Sequence, residues 1–148
     1  MMSGLFLEDL YLGQKFTTDP VTISESEIIA FAEKYDPQPF HIDKDAAEKS
    51  VYGGLIASGF QTIAIAAGQW LRTGLLKGTS LGGPGMKDIS WLAPVRPGDV
   101  LNTLVEITDC RVSKSRSDRG IVHFQYTISN KGGVVAIFTT IIMVRKRN

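Results

Sequence analysis

Residues 121–129 alternate without a break, with Val122, Phe124, Tyr126 and Ile128 on one side and His123, Gln125, Thr127 and Ser129 on the other. A period of two is the mark of a strand with one buried face. Asn130-Lys131-Gly132-Gly133 then reads as a hairpin turn, and Val134 to Val144 as a returning, almost continuously apolar strand. Two earlier segments have the same character: Lys87 to Leu92, closed by the turn Pro94 to Asp99, and Val100 to Thr108, rich in strand formers. Ser113 to Arg119, ahead of residue 121, is polar and basic, and is expected to be a loop or an exposed strand end.

The first half has a different period. After a short extended segment from Gly13 to Thr22, Ser24-Glu25-Ser26-Glu27 has the form of a capping box, and Ile28, Ile29, Phe31 and Ala32 give the helix behind it an apolar face. Pro37 disfavours helical geometry at Asp36, and Pro39 does so at Gln38, so Asp36 through Phe40 is expected to be extended and stiff. Asp43 suits the cap of a short helix over Lys44 to Lys49. Beyond Gly53-Gly54 a long helix is expected from Ser58 to about Leu75, apolar on nearly every side and therefore enclosed. The glycines from Gly74 to Gly85 mark a loop. An enclosed helix followed by consecutive antiparallel strands predicts an α+β protein whose sheet wraps around the helix.

At 148 residues the chain is expected to form a single domain, 1–148, with a core that needs no metal or disulfide. A net charge of +1 gives no reason to expect nucleic acid or a membrane surface as partner. The basic triplet Arg145-Lys146-Arg147 reads as a solvated tail. Cys110 is the single cysteine, which rules out an intrachain disulfide and fits a cytoplasmic protein. Met1 to Leu12 lacks the pattern of a signal peptide. The apolar run from Ile56 to Leu76 is interrupted by Gln61, Gln69 and Arg72, as in a buried helix rather than a membrane span.

Chemistry concentrates in Asp36-Pro37-Gln38-Pro39-Phe40-His41 and in Gly53 to Gly59. The imidazole of His41 exchanges protons near neutrality, and the carboxylate of Asp36 can orient it or share a water with it. The same two side chains would also suit a turn cap and a packed loop residue. The second segment leads into a helix whose first N–H groups have no internal acceptor and stand at the positive end of its dipole. Aimed at a carbonyl oxygen, such donors stabilise developing negative charge, and Gly59 has no side chain to obstruct the approach. His123, on the polar face of its strand, is expected to be structural or exposed. Two distant histidines and one cysteine do not make zinc spacing, so no metal is expected. Ser58 lacks the leading glycine of a nucleophile elbow.

These residues resemble a known family. Phe31-Ala32-(x)3-Asp36-(x)2-Pro39-(x)-His41-(x)-Asp43, followed by Tyr52-Gly53-(x)2-Ile56-Ala57-Ser58-Gly59, is similar to the signature of the MaoC-like dehydratases, which include the (R)-specific enoyl-CoA hydratases. Trp91 to Asp99 matches that family's strand-and-turn segment. The resemblance implies a hotdog fold, a strongly curved antiparallel β-sheet wrapped around one long central α-helix, assembled as a homodimer or a higher oligomer of dimers. It implies acyl thioesters of coenzyme A or acyl carrier protein as substrates, with no cofactor. Asp36 and His41 would activate water, and the Gly59 N–H would serve the oxyanion. Gln38 and Ser58 stand beside that oxyanion and substrate-binding side, where the family usually carries Asn and His. The expected reaction is reversible hydration of a 2-enoyl thioester to a 3-hydroxyacyl thioester. A hotdog thioesterase and a non-catalytic acyl-thioester-binding subunit are the alternatives. Lys87, Lys114, Arg116 and Arg119 are candidates for the CoA phosphates, and Trp70, Leu71 and Trp91 for the depth of the pocket.

Overall fold

In a computed structural model, which describes residues 4–148, four helices and six strands follow a three-residue 3-10 turn at Leu7–Asp9. Strands β1 (Lys15–Thr17) and β2 (Val21–Thr22) precede the helices α1 (Glu25–Tyr35), α2 (Pro39–Ile42), α3 (Lys44–Glu48) and α4 (Gly59–Arg72). Strands β3 (Gly85–Trp91), β4 (Val100–Val112), β5 (Arg119–Asn130) and β6 (Gly133–Arg145) complete the chain. All the pairings are antiparallel, and the sheet runs β1-β4-β5-β6-β3, with β2 also on β4. Short turns make β4, β5 and β6 a meander, and β3 crosses to the far side of β6.

The alternation read from the sequence decides which face is covered. Val122, Phe124, Tyr126 and Ile128 are all buried, as are Ala66 and Trp70 of α4 in the same core. The Trp70 ring lies 5.4 Å from Phe124 and 5.0 Å from Phe16, so one indole joins helix, central sheet and edge. Buried Gln69 secures the same seam. Its amide donates to the carbonyls of Asp19 and Leu101, both at 2.9 Å, and accepts from Thr103 Oγ1 at 2.7 Å. With its amide nitrogen and oxygen both bonded, a polar group adds direction to the core at little cost. The sheet therefore curves around α4, as the α+β hotdog expectation requires.

Two expectations need correction and a third is refined. Asp36 to Phe40 is not extended throughout. Gln38 is extended (φ −85°, ψ 145°), but Pro39 opens the one-turn helix α2. A proline restrains the residue before it, yet its own fixed φ suits the first position of a helix. Nor is α4 enclosed: Phe60 and Leu71 are 61% and 64% exposed, because a single sheet covers only one side of it. The basic terminal segment is exposed, as expected, but tethered rather than loose. The Arg147 N–H donates to Glu8 Oε1 at 3.0 Å, and its guanidinium pairs with Asp9 and lies 5.1 Å above the Phe6 ring.

Candidate active site

Asp36 follows the last turn of α1 as its C-cap, its N–H bonded to the Ala32 carbonyl at 2.8 Å. The capping box starts that helix as expected: Ser24 Oγ accepts from the Glu27 N–H, and Glu27 Oε1 accepts from the Ser24 N–H. Pro37 then turns the chain into α2, which carries His41 inward. The imidazole is nearly sealed from solvent, with 5% of its side chain exposed, and Nε2 lies 3.3 Å from Asp36 Oδ2.

Its other nitrogen settles the tautomer. Nδ1 lies 2.7 Å from the Ile56 carbonyl oxygen, which can only accept, so Nδ1 carries a proton. In the neutral ring the lone pair is then on Nε2, facing the carboxylate. Residues 56 and 57 are themselves stitched to both walls: the Ile56 N–H donates to the Phe40 carbonyl at 3.2 Å, and the Ala57 N–H to Val95 at 2.8 Å. The imidazole thus hangs from a backbone segment that two other segments hold.

The carboxylate is as firmly placed. Gln38 Nε2 donates to Oδ1 at 2.7 Å, and Ser58 Oγ donates to Oδ2 at 2.8 Å. Two influences oppose each other on its acidity. Burial is the largest and pushes the pKa up, but the hydrogen bonds from Gln38 and Ser58 and the charge of His41 together hold it below the ordinary carboxylate value.

Asp36, Gln38, His41 and Gly59 line one cavity of about 520 Å³, which Phe40, Tyr52, Phe60, Thr62, Trp91 and Val135 help to enclose. Ser58 caps α4 behind it, accepting from the Phe60 N–H at 3.2 Å. Gly59 is the first residue of α4, and its N–H has no acceptor within the described residues. A methyl group at this position would collide with the Trp91 indole, so glycine is what lets the ring lie across the helix terminus.

Of the sequence candidates, Asp36, Gln38, His41, Ser58 and Gly59 converge here, and Trp91 joins them. His123 does not: it lies on the outer face of β5, 3.8 Å from Asp109. Trp70 packs in the core and Leu71 faces outward, so neither lines the cavity. Lys87, Lys114, Arg116 and Arg119 do not line it either, and Arg119 is held by Asp118. Two features escaped the sequence reading. The Ile56 carbonyl has no side-chain signature, and Arg96, which donates to the Tyr52 carbonyl beside the cavity, sits in a turn whose composition signals only the turn. Among the described residues no three His, Cys, Asp or Glu side chains are grouped to hold a metal ion, and no helix is long and apolar enough to cross a membrane.

A curved antiparallel sheet around one long helix, with a carboxylate and an imidazole beside that helix's first turn, defines a hotdog-fold protein with an acid/base pair in its cavity. Residues 9–128 match the family described as MaoC like domain, and the chain belongs to this family of MaoC-like dehydratases. It is 35% identical over 116 residues to the Bacillus subtilis protein YdeM, covering 78% of this chain and 81% of that one. It is 31% identical over 147 residues to an (R)-specific enoyl-CoA hydratase of Rhodospirillum rubrum, covering 96% and 93% of the two chains. The crystal structure of a MaoC-like dehydratase from the same organism superposes with a TM-score of 0.91 at 41% identity, covering 98% of this chain and 99% of that one.

Proposed function

We propose that the protein hydrates a 2-enoyl thioester of coenzyme A or acyl carrier protein, reversibly, to the 3-hydroxyacyl thioester. The observation that carries this reading is the pairing of His41 Nε2 with Asp36 Oδ2 at 3.3 Å, in a cavity that Gly59 shares. A water bound on the cavity side of the two groups gives a proton to the pair as its oxygen attacks C3 of the enoyl chain. The electron pair of the double bond moves toward the thioester oxygen, where the unpaired N–H of Gly59 meets the charge. A proton from the pair then adds at C2, so that H and OH are added and nothing else is consumed. The hydratase name of the Rhodospirillum relative supports the thioester substrate.

The test is hydration of crotonyl-CoA. His41→Ala and Asp36→Asn each lower the rate by about a hundredfold or more, the usual scale for acid/base groups. Rates within tenfold of wild type for both variants overturn the assignment. Free CoA thiol appearing without a 3-hydroxyacyl product replaces it with hydrolysis.

The working unit in this reading is a homodimer. Among the described residues strand β3 pairs with β6 alone, leaving one edge free, and its exposed Met86, Ile89 and Trp91 adjoin the outward Phe60 of α4 through the Trp91–Phe60 ring contact at 6.2 Å. A free, apolar strand edge beside an uncovered helix face is suited to a second copy related by two-fold symmetry. Light scattering on the eluted protein gives twice the chain mass if this holds. A monomer at micromolar concentration contradicts it.

A further inference from the structure

We propose that Ser58 is a positioning residue, which fixes the Asp36 carboxylate against the first turn of α4 and so sets its relation to both the imidazole and the Gly59 N–H. The proposal rests on the hydratase reading and gives a role to a residue that touches no reacting atom in it.

The direction of the hydrogen bonds at Ser58 is determined by chemistry. Its hydroxyl has one proton and is completely buried. The Phe60 N–H, 3.2 Å away, can only donate, so it occupies a lone pair of Oγ. The hydroxyl proton is then free to go to Asp36 Oδ2 at 2.8 Å, an oxygen that can only accept when ionised. The result is a chain of donors running from the helix terminus through Oγ to the carboxylate. Such a chain favours the charged form of Asp36 and holds it in one rotamer.

Gln38 provides the second bond to this carboxylate, but it is exposed and only two residues away. Water competes for that bond. The Ser58 bond lies in the interior and ties α1 to α4, two elements that the chain joins only through a long excursion. Ser58 is therefore the side chain that ties Asp36 to α4, beside the local bond from Gln38. Because Ser58 is also the N-cap of α4, the same residue determines where the Gly59 N–H points. The proton-handling group and the oxyanion donor are held in one frame by one hydroxyl.

Three variants separate positioning from folding. Ser58→Ala removes the hydroxyl, Ser58→Gly removes it while keeping a residue that caps helices well, and Ser58→Thr keeps it. Two measurements are made. One is a titration of the Asp36 carboxyl by carbon-13 NMR without substrate; the other is kcat, KM and their pH profile with crotonyl-CoA.

In the Ala and Gly variants the Asp36 titration and the acid limb of kcat/KM both move to higher pH. In the same variants kcat falls about tenfold or more while KM stays within about twofold, the scale of a hydrogen bond to a charged group. Ser58→Thr returns both toward wild type. An unshifted carboxyl in Ser58→Gly, or a loss confined to KM, overturns the proposal. If the wild-type protein hydrates no crotonyl-CoA, the hydratase reading is what fails. The titration then decides the role of Ser58 alone: an upward shift sustains it and an unmoved carboxyl ends it.

Discussion

The chain has two histidines, and each has an aspartate beside it. His41 Nε2 is 3.3 Å from Asp36, and His123 Nε2 is 3.8 Å from Asp109. By composition the pairs are the same, and by surroundings they are opposites. Asp36 is fixed by Gln38 and Ser58 and is 14% exposed; Asp109 is 48% exposed and divides its charge between His123 and Arg111. The Ile56 carbonyl orders the far nitrogen of His41, while no such anchor holds His123 among the described residues. The first pair faces a cavity, and the second lies on the outside of the sheet. What suits the first pair to the proposed reaction, and not the second, is the fixing of the groups around it together with room for a substrate.

The largest test of this contrast is direct. His41→Ala lowers crotonyl-CoA hydration by about a hundredfold or more, whereas His123→Ala leaves the rate near wild type. Equal losses in both variants would erase the distinction. A smaller effect comes from Gly59→Ala. The added methyl collides with Trp91, so the indole must swing away from the helix terminus and the cavity is reshaped. Activity falls by about tenfold or more, because the proposed oxyanion donor and the wall opposite it are both disturbed. Tryptophan emission reports the movement, and an unchanged spectrum with an unchanged rate overturns this expectation.

The smallest effect is on stability. The folded pKa of Asp36 is held below its unfolded value, so the carboxylate contributes stability that is present above about pH 4 and disappears as pH falls through the folded value. In that window the unfolded chain binds more protons, and stability rises with pH. Urea midpoints measured on the acid side therefore fall less steeply with decreasing pH in Asp36→Asn than in wild type. Parallel slopes for wild type and Asp36→Asn would show that the native environment does not perturb Asp36.

The sheet was legible because its signal is periodic. Val122 to Ile128 had to face the core in one register, since slipping by a residue would bury His123 and Gln125 instead. The capping box at Ser24 was legible because it is local. So was the closeness of Asp36 and His41, although the path between them was less so: the pre-proline restraint fixes Gln38, while Pro39 is free either to extend the chain or to open a helix. Other parts depend on contacts between distant segments. No spacing along the chain states that the Ile56 carbonyl meets His41, that Trp91 crosses Gly59, or that Arg147 docks on Asp9. Ser58 lies between the two cases. Its position at the start of α4 was legible, but its bond to Asp36 exists only once α1 and α4 are side by side.

The anchor of the imidazole has an evolutionary consequence. Because His41 Nδ1 leans on a main-chain oxygen, the identity of residue 56 can drift while the group that selects the tautomer stays in place. The neighbouring walls, formed by side chains such as Phe60, Trp91 and Val135, have no such protection and are free to be recast. If the proposed reaction holds, point mutations in these walls can change the acyl group accepted without rebuilding the Asp36–His41 pair.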